Sequence, residues 1–301
     1  MATKIPFVHK FDFNYGELEQ LTPLIRRVIA RNPSGFTFHG TGTYVVGHGK
    51  VAIIDPGPLL PEHLDAIKNS LENEMVTHIL ITHTHMDHSP AAAPLKEYWG
   101  AKTYGYGPHG EGKREAGIQV EEGGDMDFIP DVAIRDGDII EGDNWTIECV
   151  YTPGHTSNHM CFALKEEKSL FTGDHVMGWS TSVISPPDGD MTQYMDSLKL
   201  LLERDDEIYW PTHGTCITDV KNFVTAFIDH RLEREQQIIA CLRDGHRKIE
   251  DMVPVMYTET DKRMYGAAAR SVLAAMVRLI DTGIVTCSDS TPGVKSDYSL
   301  N

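Results

Sequence analysis

The 301-residue chain is poor in cysteine, with five, and they are far apart. Cys149, Cys161, Cys216, Cys241 and Cys287 form no CxxC pair, so neither a disulfide framework nor a thiolate zinc site is expected, and a reducing, cytoplasmic setting fits. There is no apolar run near the roughly 20 residues of a membrane span. The start, "MATKIPFVHKFDF", lacks an apolar core of signal-peptide length. No low-complexity tract or solenoid-length repeat stands out. Basic residues are also scarce, 27 Lys+Arg against 44 Asp+Glu, giving a net charge of −17. From residue 231 onward the signs balance at 10 and 10, so the first 230 residues hold 17 basic and 34 acidic side chains, the whole −17. Such a surface repels polyanions at long range.

What the chain does have is histidine in a dense cluster. "THTHMDH" (82–88) places His83, His85, Asp87 and His88 within seven positions. Imidazoles gain little as packing, since each buried ring nitrogen needs a partner. Either this is a solvated loop or it binds something. Four further loops repeat the theme: "IIDPG" (53–57), "TPGHT" (152–156), "FTGDH" (171–175) and "PTHG" (211–214). Each sets a His or Asp in a Gly/Pro-bracketed turn where an apolar strand stops. Strand ends can converge on one rim of a sheet, where α/β proteins build sites. The pattern therefore points to a metal site completed from remote loops.

Short apolar runs alternate with helical periodicity over the first two-thirds, without a regular βαβ repeat, which implies a layered α/β architecture. "TYVVG" and "VAIID" read as a hairpin, and "PEHLDAIKNSLEN" as a helix with Pro61 in its first turn. "VTHILIT", "WTIECVYT", "HMCFALK", "SLFTG" and "EIYW" read as strands. From about residue 218 the chain turns helical, then closes on the β-like "IVTC" and a tail, "SDSTPGVKSDYSLN", that reads as loose. The expected division is a catalytic domain over 1–225 and a helical, winged-helix-like domain over 226–301.

HxHxDH at 83–88, the later His of TPGHT, the Asp of TGD and the His of Pro-x-His-Gly, in that order, resemble the motif set of the metallo-β-lactamase superfamily. The resemblance implies an αββα sandwich with two metals at the sheet edges. It assigns His83, His85 and His155 to one ion, Asp87, His88 and His213 to the other, and Asp174 to both, with Asp87 also essential to catalysis. Such ligands suit two Zn2+ ions, with iron or manganese as alternatives. Two ions about 3.5–4 Å apart lower the pKa of a shared water, and the hydroxide attacks a carbonyl or a phosphorus. Asp55 is expected to support the histidine loop rather than to bind metal.

"NPSGFTFHGTGTYVVG" (32–47), "YTPGHTSNHM" and "HRLEREQQI" (230–238) look like the β-lactamase-like protein 2 group, which carries a C-terminal winged-helix-like domain and includes an endoribonuclease acting on single-stranded RNA. Residues 105–130 and 182–190 depart from that group. His159, His175 and Cys216 are expected to be structural, and His109 to be a solvated loop histidine.

Three functions follow. The first is a metal-dependent hydrolase of a small carbonyl substrate: an ester, thioester, lactone or lactam. The second is a single-stranded RNA endonuclease, for which the candidate contacts Lys113, Arg114 and Arg135 are sparse. The third is a winged-helix nucleic-acid-binding protein with a relic metal site, against which stand the complete ligand set and the uncharged C-terminal region. A small-molecule substrate ranks first, RNA second, and no membrane partner is expected.

Overall fold

The computed structural model describes residues 3–111 and 123–301. Among these, the first sheet comprises seven strands in sequence order: β1 (Glu19–Gln20), β2 (Ile25–Ile29), β3 (Gly42–Val46), β4 (Lys50–Ile54), β5 (Met75–Leu80), β6 (Lys102–Gly105) and β7 (Val132–Ala133). Its first four strands pair antiparallel, and β4 to β7 run parallel. The second sheet has the order β12-β11-β10-β9-β8, with β8 (Ile139–Glu141), β9 (Thr146–Tyr151), β10 (Met160–Leu164), β11 (Ser169–Gly173) and β12 (Ile208–Pro211). The helices are α1 (Pro61–Ser70), α2 (Ala92–Trp99), α3 (Met191–Glu203), α4 (Val220–Arg243), α5 (Ile249–Met256) and α6 (Tyr265–Asp281).

Side-chain alternation along the strands builds the layers. Tyr44, Val46, Ala52 and Ile54 face inward and meet Ile147, Cys149, Phe162 and Phe171 between the sheets. Their neighbours Val45, Val51 and Ile53 turn the other way and pack on Ile67 of α1 and Leu95 of α2. On the far side, Cys161, Ala163 and Leu170 meet Tyr194 and Leu198 of α3 and Phe223 and Phe227 of α4. The order is helix, sheet, sheet, helix. Strands apolar on both faces are continuous hydrophobic runs, which is why "VAIID" and "SLFTG" show no polar alternation.

A fourth core joins Ile238, Ile239 and Leu242 of α4 to Met252, Val272, Met276 and Val285. α4 runs unbroken across residues 225 and 226, so one helix serves two cores. The tail read as loose is ordered at its end. There β13 (Val285–Cys287) pairs with β14 (Tyr298–Leu300), and Tyr298 is buried with its hydroxyl donating to the Gly293 carbonyl. A three-residue strand held by one aromatic carries too little local periodicity to be seen in the sequence. All five cysteines are free, and among the described residues no helix is long and apolar enough to cross a membrane.

Candidate metal centre

The ends of β4, β5, β9, β11 and β12 meet at one rim. Asp55, just past β4, has a φ of 48°. Its carboxylate accepts from the Thr82 amide (2.8 Å), the Thr82 hydroxyl (2.7 Å), His88 Nδ1 (2.9 Å) and the Thr212 hydroxyl (2.8 Å). One buried carboxylate thus stitches three strand ends together, the supporting role expected of it. Gly173, at φ +51°, makes room for the approach, since a Cβ there would lie 2.6 Å from His159 Nε2.

All seven sequence-predicted residues arrive at this rim. Donor atoms of His83, His85 and His155 lie within 4.8 Å of one another, and so do those of Asp87, His88 and His213. Asp174 stands between the groups. Its oxygens are 3.8 Å from His155 Nε2 on one side, and 3.7 Å from His88 Nε2 and 3.4 Å from His213 Nε2 on the other. His213 Nε2 is 3.1 Å from the Asp87 carboxylate.

The inward face of each ring follows from what holds its other nitrogen. His88 Nδ1 is held by Asp55, His83 Nδ1 by the Thr82 hydroxyl (3.1 Å), His155 Nδ1 by the Val183 carbonyl (2.6 Å) and His213 Nδ1 by the Gly40 carbonyl (3.1 Å). These contacts turn Nε2 of each toward the cluster. There His88 Nε2, His213 Nε2 and Asp174 Oδ1 are buried without an aligned hydrogen bond, the 3.1 Å approach of His213 Nε2 to Asp87 included. Buried polar atoms are rarely left so, and an imidazole–carboxylate donor set with unused lone pairs fits a divalent cation.

The electrostatics agree. Burial works against the His88 imidazolium, yet Asp87, Asp174 and Asp55 together push its pKa well above the usual value. His213 is raised against burial in the same way, by Asp174 and Asp87. Burial opposes ionisation of Asp87 and Asp174 as well, but His88 and His213 hold both below the carboxylate range. His83, by contrast, is pushed well down by burial and then by its histidine neighbours. The carboxylate side calls for positive charge, and the His83 side presents neutral imidazole, the ligating form.

Three neighbours behave as the sequence suggests. His159 is buried, shares a hydrogen with the Thr152 hydroxyl, and takes the Asp174 amide at Nε2 (3.3 Å). The buried His175 ring packs on Tyr194, and Cys216 lies against the inter-sheet core. His109 does not behave so. It is buried rather than solvated, with Nδ1 2.9 Å from the Thr84 hydroxyl and its ring 5.8 Å from that of His85. Closure onto Thr84 of the histidine loop and onto Asn158, which donates to the Gly107 and Pro108 carbonyls, decides this, which local composition cannot show. The threonines were missed, although a signal exists: His83, His85 and His213 each follow a threonine, and these threonines form the hydroxyl frame of the site. Of the three basic candidates for RNA contact, Lys113 and Arg114 lie outside the described residues. Arg135 is occupied, donating to the Tyr106 and Ile134 carbonyls while stacking over the Tyr106 ring.

A layered αββα sandwich with a His/Asp cluster at its rim defines a class, and the family comparison agrees. Residues 37–213 match the metallo-beta-lactamase superfamily, and residues 249–293 match the beta-lactamase associated winged helix domain. The chain belongs to the metallo-β-lactamase superfamily. It is 33% identical over 259 residues to an atrochrysone carboxyl ACP thioesterase of Aspergillus chevalieri, covering 85% of this chain and 78% of that one. It is also 33% identical over 266 residues to the lactamase-like protein adaB of Aspergillus niger, covering 83% and 77% respectively. Among solved structures, a metallo-beta-lactamase family protein from Thermus thermophilus superposes with a TM-score of 0.74 at 20% identity, covering 94% of this chain and 100% of that one. A beta-lactamase domain protein from Burkholderia ambifaria gives 0.77 at 19%, covering 95% and 94%. Both likenesses speak to the fold.

Proposed function

We propose that the chain is a hydrolase with two divalent metal ions, zinc foremost, that cleaves a small activated acyl substrate, a thioester before an ester, lactone or lactam. The observation that carries this reading is the convergence of five imidazoles and two carboxylates on one rim, with His88 Nε2, His213 Nε2 and Asp174 Oδ1 buried among them without an aligned hydrogen bond. His83, His85 and His155 would hold one ion, Asp87, His88 and His213 the other, and Asp174 both. Bound there, the pair supplies Lewis acidity toward the carbonyl and lowers the pKa of water to near neutrality.

The chain's own residues do the positioning. Asp55 fixes the His88 ring and the hydroxyls of Thr82 and Thr212, and the Val183 and Gly40 carbonyls fix His155 and His213. The reaction joins a water oxygen to the acyl carbon and breaks the C–S bond, giving a carboxylate and a thiol. Thioester comes first because the relatives at 33% identity include a carboxyl ACP thioesterase. The reading includes a catalytic domain over 1–225 and an appendage over 226–301 that share α4, in a compartment that keeps the five thiols reduced.

The test is a substrate panel on zinc-loaded protein: a thioester, an ester, a lactone, a lactam and a labelled single-stranded RNA. Thioester turnover should vanish on chelation and return with metal. Efficient metal-dependent RNA cleavage with no turnover of the small molecules would overturn the assignment.

A further inference from the structure

A groove of about 490 Å³ lies between the N-terminal segment, α4 and the loop that follows β11. Its apolar wall is Ile5, Phe7 and Trp179; Lys4 supplies positive charge, and so does Arg234, whose Nη1 donates to Gln237 Oε1 (2.8 Å) and the Met256 carbonyl (2.9 Å) while the guanidinium lies over the Tyr257 ring. Glu233, the acidic residue of the lining, is engaged elsewhere: its carboxylate accepts from the Thr3 amide (2.8 and 2.9 Å) and hydroxyl (2.7 Å), pinning the N-terminal segment to α4 as one side of the groove.

Trp179 connects this groove to the metal centre. Its ring stacks on Phe38 at 4.8 Å and 10°, and its Cδ1 lies 3.3 Å from where a Cβ on Gly214 would stand, one residue after His213. The same loop continues to Ser182, whose hydroxyl donates to the Asp174 and His175 carbonyls, and to Val183, which holds His155. A molecule lying in the groove therefore rests on the segment that positions two of the proposed ligands.

We propose that this groove receives the phosphopantetheine-type arm on which a thioester is carried. This rests on the thioester reading above and goes further, by placing recognition on the thiol side of the scissile bond rather than on the acyl group. The lining decides between the two ends. A hydrocarbon acyl chain would strip water from the Lys4 and Thr181 side chains with nothing in return. A pantetheine arm has amides to pair with such groups, a flexible chain to lie along Phe7 and Trp179, and a phosphate for Lys4 and Arg234. Trp179 Nε1 and His230 Nδ1, both on lining residues, are buried without a hydrogen-bond partner. In a chain of net charge −17 an anionic group needs local cations of this kind.

The experiment uses the full metal-loaded chain. Two thioesters share one acyl group: one on 4′-phosphopantetheine, one on the short N-acetylcysteamine stub. Free 4′-phosphopantetheine binding is followed in parallel by calorimetry. The full arm should lower KM about tenfold relative to the stub, and Lys4→Glu should cut that preference and weaken phosphopantetheine binding by a similar factor. Arg234→Gln is the second variant, with circular dichroism as the folding check. Equal kcat/KM for the two thioesters, with no phosphopantetheine binding, overturns the groove assignment and leaves the hydrolase reading standing. Phosphopantetheine binding that Lys4→Glu weakens, without turnover of either thioester, supports the groove and removes the thioester reading instead. Acyl-coenzyme A against acylated carrier protein then tells which source presents the arm, and a preference for either supports the proposal.

Discussion

At the scale of single residues, the site is a balance of charges held by small hydroxyl and carbonyl contacts. Asp87 lies beside both His88 Nε2 (3.6 Å) and His213 Nε2 (3.1 Å). Asp87→Ala removes one of two carboxylates from the second group, so thioester hydrolysis should fall at least about a thousandfold while the circular dichroism spectrum stays native. Near-normal turnover by folded variant protein would remove Asp87 from the proposed mechanism. His63 makes a different kind of statement. It is buried beneath the Asp55 loop, with Nε2 against the Thr43 hydroxyl and the Pro56 carbonyl, and burial pulls its pKa down to about 4. Below the ordinary histidine value of 6.5 the unfolded chain accepts a proton that the folded chain refuses. Stability is therefore lost as pH falls from about 6.5 toward 4, by about 2.5 kcal/mol at pH 4.5 from this group. His63→Gln should lose less melting temperature between pH 7 and pH 4.5 than the parent chain, and identical losses in the two would assign acid sensitivity to other groups.

At the scale of elements, α4 bears the most responsibility. Its first half packs Phe223 and Phe227 on the second sheet, and its second half packs Ile238 and Leu242 on α5 and α6. Arg231, on the same helix, donates to the Ser182 carbonyl (2.6 Å) of the loop beside the metal centre. Glu235 is buried and paired with Arg278 of α6. Glu235→Ala leaves that guanidinium largely buried with no carboxylate, at a cost of roughly 3 kcal/mol. Chemical denaturation should show this as a lower midpoint, and adding Arg278→Leu should restore much of it. No recovery in the double variant would mean that Glu235 acts through something other than this pair. The helix itself was legible from the helical character that sets in near residue 218. Its sharing between two cores was not, because periodicity reports that a face is apolar and not which partner covers it.

At the scale of the whole molecule, five strand ends from two sheets form one site, so metal and fold should be coupled. Zinc-reconstituted protein should hold about two ions per chain, and chelation should lower the melting temperature, since an ion that binds the folded state alone stabilises it by mass action. Elemental analysis giving no more than one tightly held ion would count against the paired centre. Full-length protein should also melt in one transition, because α4 belongs to both cores. A chain ended at residue 225 would cut that helix within its second turn and should fail to fold, and a stable, metal-binding product would show the cores to be independent.

The ligand set was readable because the chemistry demands particular side chains at particular turns: His83, His85, Asp87 and His88 are clustered, and His155, Asp174 and His213 stand in Gly/Pro-marked strand ends. The αββα order was readable through the resemblance those residues carry, supported by doubly apolar strands. Three matters depended on the three-dimensional structure. The burial of His109 follows from its closure onto Thr84 in the histidine loop after β5, and the pairing of β13 with β14 joins residues 11 to 15 positions apart. The groove beside Trp179 is assembled from the N-terminal segment, α4 and the loop after β11. Local sequence specifies which side chains a site has. What surrounds them is set by contacts distant in sequence, which leave no local periodicity to read.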